Sequence, residues 1–145
     1  MEKRNVNKSV VIGTIGADAH MIGGWVLSEA YKDAGFKVTF LGAVVPQEEF
    51  VQAAVESDAD AILVSSSYGM GIIDCEGLRD KCIEAGLDDI ILYAGGTVAA
   101  PLDIAKNWPS IEKRFAEMGF NRVFKNTCTA DESVATLKKD LGIED

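Results

Sequence analysis

Ser9-Val10-Val11-Ile12-Gly13-Thr14-Ile15 is an almost continuous apolar run, short enough to be one buried strand. A loop follows, and then Ile22 to Ala34 takes helical spacing and stops at Gly35. The same unit recurs along the chain. Phe36 to Leu41 reads as a second strand. Pro46 stands where a helix begins, and Gln47 to Glu56 repeats apolar residues at Phe50, Ala53 and Ala54. Ala61 to Val64 is a third strand, followed by a helix from Asp74 to Ala85 that Gly86 closes. Ile90 to Tyr93 is a fourth strand, followed by a helix from Ile104 to Met118 that Trp108-Pro109 interrupts near its start. Arg122 to Phe124 is a short fifth strand, and Asp131 opens a last helix ending near Leu141.

Strands alternating with helices of this length imply an α/β domain, with a parallel sheet covered on both faces. Five units joined by right-handed crossovers point to the flavodoxin-like, Rossmann-type order 2-1-3-4-5. No linker, repeat or low-complexity segment divides residues 1–145, so a single domain is expected. In such sheets ligands bind beyond the carboxyl ends of the strands, near the switch in strand order. The loops after strands one, three and four are therefore the expected ligand-binding edge.

The first of these loops carries Asp18 and His20, and His20 is the sole histidine of the chain. A carboxylate two residues away can orient a ring nitrogen and fix its tautomer. One histidine cannot close a zinc site, which takes four ligands, but it can serve as one axial ligand to a metal already held by a macrocycle. Gly23 and Gly24 remove side chains where a ligand would enter. The third loop holds Ser65, Ser66 and Ser67, whose hydroxyls can line a narrow polar slot. The fourth holds Gly95-Gly96-Thr97, where paired glycines permit close backbone approach.

Composition narrows the partners. The 145 residues are 48% hydrophobic and 26% charged, with a formal net charge of -9. Such a surface repels phosphate backbones, so no nucleic-acid partner is expected. No apolar run reaches the roughly 18 residues needed to span a membrane, and residues 1–8 lack a signal-peptide core. Cys75, Cys82 and Cys128 form no CxxC pair, so reduced thiols and a cytoplasmic protein are expected. Cys75 and Cys82 read as small buried hydrophobes.

The spacing of the loop motifs carries a resemblance. Asp18-x-His20-x-x-Gly23, then Ser65, then Gly95-Gly96 resembles the cobalamin-binding signature Asp-x-His-x-x-Gly, Ser-x-Leu, Gly-Gly at similar separations. Ser67 stands where the signature has leucine, which removes part of an expected apolar wall. Beyond the signature, Asp74-Cys75-Glu76-Gly77-Leu78-Arg79-Asp80-Lys81-Cys82, Asn107-Trp108-Pro109 and Met118-Gly119-Phe120 look like the small, cobalamin-binding subunits of glutamate mutases.

That resemblance implies roles. His20 would be the lower axial ligand of cobalt in adenosylcobalamin, with Asp18 bonded to it. Ala17, Ala19 and Met21 would give backbone contacts. Gly23 would leave room for the displaced nucleotide tail, and Ser65 would bond to its base, with Ser66 and Ser67 beside it. Gly95, Gly96, Thr97, Val98 and Ala99 would border the tail channel. No catalytic residue beyond the cobalt ligand is expected on this chain. The activity implied is an isomerase, a methylaspartate mutase that interconverts L-glutamate and (2S,3S)-3-methylaspartate by a radical mechanism. The arginines are Arg4, Arg79, Arg114 and Arg122, and none falls in the three loops. A dicarboxylic substrate calls for convergent arginines, so it should sit on a larger barrel-type partner subunit, leaving this chain inactive alone.

Neighbouring families fit less well. Acyl-CoA mutase modules tend to read Gly-Leu-Asp-Gly-His where this chain has Gly16-Ala17-Asp18-Ala19-His20. Corrinoid methyl carriers usually place a helical cap before the first strand, where only residues 1–8 stand here. A flavodoxin needs a Ser/Thr-rich phosphate loop after strand one. A receiver domain needs an aspartate at the end of strand three, where Ser65 and Ser66 stand.

Overall fold

The computed structural model of the chain describes residues 6–16, 20 and 22–143. Its elements run β1 (Ser9–Thr14), α1 (Ile22–Asp33), β2 (Lys37–Phe40), α2 (Gln47–Ser57), β3 (Ala61–Ser66) and α3 (Gly71–Asp74). They continue with α4 (Leu78–Glu84), β4 (Ile91–Gly96), α5 (Pro101–Lys106), α6 (Trp108–Glu117), β5 (Arg122–Phe124) and α7 (Ala130–Asp140). The strands pair in parallel in the order β2-β1-β3-β4-β5, the expected flavodoxin-like topology.

The apolar runs split by strand periodicity between two cores. Val10, Ile12, Ala61, Leu63 and Tyr93 face one side, where they meet Tyr31 of α1 and Val134 and Leu137 of α7. Val11, Ile62, Val64, Leu92 and Ala94 face the other, against Phe50 of α2, Leu78 of α4 and Ile111 and Phe115 of α6. Every residue of β3 is buried, as the central strand of a sheet covered on both faces must be. Each fully buried Leu, Ile, Val or Phe stabilises by about 1.5–3 kcal/mol relative to exposure. Cys75 and Cys82 are buried free thiols in the second core, filling space as expected.

Two helices differ from the sequence reading. The helix expected from Asp74 to Ala85 is broken into α3 and α4. Gly77 adopts φ 87°, which a continuous helix excludes. The Gln47 amide nitrogen donates to the carbonyls of Asp74 and Glu76 at 2.6 and 2.7 Å and so satisfies acceptors freed by the break. The helix expected from Ile104 to Met118 is likewise two, with Asn107 between them. Pro109 falls in the first turn of α6, where its missing N–H costs nothing. Among the described residues no helix is long and apolar enough to cross a membrane.

Strands three and four run further than their apolar cores. Ser65 pairs with Gly95 and Ser66 with Gly96, so both motifs lie within the sheet's carboxyl edge rather than in free loops.

Candidate functional site

The carboxyl edge gathers the loops singled out above. At the end of β1, Ile15 bridges to Val45, and the Gly16 N–H donates to the Val45 carbonyl at 2.9 Å. Ala17, Asp18, Ala19 and Met21 lie outside the described residues. His20 is exposed, and its carbonyl accepts from the Thr14 hydroxyl at 3.2 Å. That bond ties the backbone of the sole histidine to the strand it follows. Helix α1 begins two residues later.

A cavity of about 330 Å³ opens between the amino-terminal half of α1, the ends of β3 to β5, and the start of α7. Its size falls in the range of small-molecule sites. Leu63, Tyr93 and Ala94 supply an apolar floor, Leu27 and Phe124 apolar walls, and Ser65 a hydroxyl. Gly23 stands opposite that hydroxyl: a Cβ there would lie 3.5 Å from Ser65 Oγ, in ordinary contact, and anything larger would reach into the cleft. Gly24 has a different task. A Cβ there would come within 3.2 Å of the Phe40 ring and 3.4 Å of the Thr14 hydroxyl, so it lets α1 pack close to the sheet.

Gly96 could be no other residue. It has φ 95°, and a Cβ would sit 2.2 Å from the Ser66 carbonyl oxygen. The strands can therefore stay paired to the very rim of the cavity.

The structure brings Gly23, Ser65, Gly95 and Gly96 together around this cavity. Strand alternation turns Ser66 to the opposite face, where its side chain crowds Gly71. Val98 and Ala99 are buried in the core on that same opposite face. The Val98 carbonyl accepts from the Ile72 N–H and the Thr97 carbonyl from the Gly69 N–H, each at 2.8 Å. Thr97 and Val98 thus fasten the third and fourth loops to each other. Ser67 is exposed beyond the strand.

Sequence reasoning missed the fifth loop, which forms the far wall through Asn126, Cys128, Thr129 and Ser133. One signal was available: Thr129 and Glu132 make the amino-terminal half of a capping box. The Thr129 hydroxyl accepts the Glu132 N–H at 3.2 Å, which fixes the start of α7 beside the cavity. Burial, with the Glu132 carboxylate next to it, pushes the Cys128 thiol up to about 11.

Around the same edge, large apolar side chains stand exposed: Ile22, Trp25 and Val26 on α1, Val44 before α2, Tyr68, Met70 and Ile73 near α3, and Leu102 on α5. Ile72, next to Ile73 in α3, is instead partly buried against the core. Of the exposed residues, Val26 also lines the cavity, and an exposed apolar group beside a cleft is a candidate interaction surface.

With this geometry established, comparison with known proteins is informative. Residues 8–110 match the B12 binding domain family. A glutamate mutase sigma subunit of Clostridium cochlearium is 49% identical over 94% of this chain and 98% of its own length. That of Carboxydothermus hydrogenoformans is 50% identical over 93% and 96%. Among solved structures, a cobalamin-binding protein from Desulfitobacterium hafniense superimposes with a TM-score of 0.72 at 21% identity, covering 91% of this chain and 58% of that one. At that identity the likeness speaks for the fold alone.

Proposed function

Because the chain belongs to the family of glutamate mutase sigma subunits and of B12 binding domains, we propose that it holds adenosylcobalamin for a glutamate mutase and works only with a larger catalytic subunit. The reaction is the isomerisation of L-glutamate to (2S,3S)-3-methylaspartate. The cavity between α1 and α7, lined by Gly23 three residues after the sole histidine, is the observation that carries this reading.

The residues present fit the group. An apolar floor under a hydroxyl-bearing mouth suits a flat heteroaromatic base on a polar tether, and the bare Gly23 leaves the entrance open. His20 would ligate the cobalt, Asp18 would orient its ring, and Ser65 would bond to the base of the tail. Gly95 and Gly96 would let the tail lie against the sheet. When bound, the cofactor supplies a carbon-centred radical by homolysis of its cobalt–carbon bond. This chain's part is to bind, orient and shelter, with the whole of it serving as one cobalamin-binding domain.

The substrate belongs on the partner. A dicarboxylate needs arginines with free forks. Arg79 is committed to the Gly119 carbonyl and to Asn121 Oδ1, both at 3.0 Å, and Arg122 holds Asp140 in a two-pronged pair. Arg114 lies 3.9 Å from Glu76. The apolar rim at the carboxyl edge is where the partner, a barrel-type subunit, would close over the cofactor's upper face. Free thiols at Cys75, Cys82 and Cys128 suit the cytoplasm.

Reconstitution tests the reading. The chain combined with a glutamate mutase large subunit, adenosylcobalamin and L-glutamate should form 3-methylaspartate, and omission of either protein should abolish turnover. Turnover by this chain alone, or none with all components present, would refute it.

A further inference from the structure

The side chains of Tyr68 and Asp74 meet over Gly16, the residue at which β1 gives way to the loop bearing His20. The Tyr68 hydroxyl donates to Asp74 Oδ2 at 2.5 Å. A Cβ at position 16 would lie 2.5 Å from that same oxygen and 3.0 Å from the hydroxyl. The pair therefore rests on a bare Cα, and only glycine, at φ 73°, fits beneath it.

Asp74 is itself anchored. Its N–H donates to the Met70 carbonyl at 2.9 Å, and its carbonyl accepts from Gln47 at 2.6 Å. Gly16 is pinned from its other side by the Val45 carbonyl. The end of β1, the loop after β3, α3 and the start of α2 thus converge on one residue. At the far end of the His20 loop, Thr14 holds the His20 carbonyl. Gly16 is thus held by Val45 and overlain by the Tyr68–Asp74 pair, while the His20 carbonyl is held by Thr14.

Tyr68 is 38% exposed. A hydroxyl so placed can be solvated by water, and its bond to a carboxylate near the surface adds little to the stability of the fold. Holding a ligand loop is a different matter. A liganding side chain must be kept within about 0.5 Å of its working position, and groups that orient a ligand typically change metal affinity 10–100-fold when removed.

We propose that Tyr68 and Asp74 are positioning residues for His20: their bond fixes Gly16, and so sets where the histidine loop leaves the sheet. The inference rests on the reading of His20 as the cobalt ligand, and it couples the loops after β1 and β3 into one unit.

The test uses the full chain loaded with cob(II)alamin. Tyr68→Phe keeps the ring and removes the donor, Asp74→Ala removes the acceptor, and Asp74→Asn retains one. Thermal midpoints of all three should stay within about 4 °C of the parent, the shift expected for a change of about 1 kcal/mol in a chain of this size. Tyr68→Phe and Asp74→Ala should bind cob(II)alamin about tenfold more weakly, the low end of the orienting effect. In both, the share of cobalt showing histidine-nitrogen coupling in the electron paramagnetic resonance spectrum should fall. Asp74→Asn should restore affinity and coupling. If the parent shows coupling and both Tyr68→Phe and Asp74→Ala match it in affinity and coupling, the positioning role is overturned while the ligand reading stands. If the parent itself lacks the coupling, the ligand reading fails and takes this inference with it.

Discussion

The hydroxyls of Tyr31 and Ser133 lie 2.8 Å apart in a buried hydrogen bond that joins α1 to α7, the two helices flanking the cavity. Tyr31 is wholly buried, packed edge-on against Phe36 at 5.1 Å between ring centroids. Burial raises its phenol above the ordinary range, so it remains a neutral hydrogen-bonding group at any working pH. Tyr31→Phe leaves the Ser133 hydroxyl buried without this partner and should cost about 1–2 kcal/mol in urea unfolding. Ser133→Ala should cost a similar amount. The double variant should lose less than the sum, with a coupling of about 1 kcal/mol. Strict additivity would show that the two hydroxyls do not support each other.

Gly23 faces Ser65 across the mouth of the cavity: a methyl group there would sit in ordinary contact with the Ser65 hydroxyl, and a longer side chain would extend into the cleft. It is the second residue of α1, and alanine is favoured over glycine in a helix by up to about 1 kcal/mol. Gly23→Ala should therefore hold or raise the melting temperature. Gly23→Leu should fold as well but weaken cobalamin binding at least tenfold by equilibrium dialysis. Undiminished affinity in the leucine variant would place the tail elsewhere.

Cys128 lines the cavity, yet its raised pKa keeps it a thiol at neutral pH. Since the thiolate is the nucleophile, alkylation of the native chain should be slow at pH 7 and accelerate as pH approaches 11. Cys75 and Cys82 are buried and should react only on unfolding. Bound cobalamin should slow the reaction at Cys128 further, as read by mass spectrometry at fixed times. Equal labelling with and without the cofactor would contradict occupation of this cavity.

The Arg122 guanidinium donates to both Asp140 oxygens, at 2.7 and 2.9 Å, and holds that carboxyl below its usual range. The buried Tyr93 hydroxyl donates to the same carboxylate. A depressed carboxyl pKa contributes stability that is present above the unfolded value, about 3.9, and is lost as pH falls through the folded value. Arg122→Gln should thus be less stable than the parent at pH 6, and the gap should narrow as pH is lowered from 4 to 2. A gap that stays constant over that window would remove the ion pair from the account.

Much of this was legible in the sequence because the strands are unmixed. Runs such as Ala61 to Val64 can only be buried on both faces, and five strands separated by helical spacing leave little choice of topology. What escaped was decided by distant partners. The break at Cys75 to Gly77 is held by Gln47, which lies a helix away in the chain. Ser65 and Ser66 looked alike as neighbours in a loop, but pairing with Gly95 and Gly96 makes them strand residues that face opposite sides. The wall from Asn126 to Ser133 carries only the Thr129–Glu132 helix cap, which marks a helix start and not a ligand, and it borders the site because β5 is the sheet's edge beside β4.

The ligand to cobalt can be tested at one atom type, because the chain has one histidine. Protein grown with nitrogen-15 histidine and loaded with cob(II)alamin should show the axial-nitrogen splitting of its electron paramagnetic resonance spectrum change from a triplet to a doublet. A triplet that survives the labelling would mean that the nitrogen belongs to the cofactor's own base, and that His20 does not ligate cobalt.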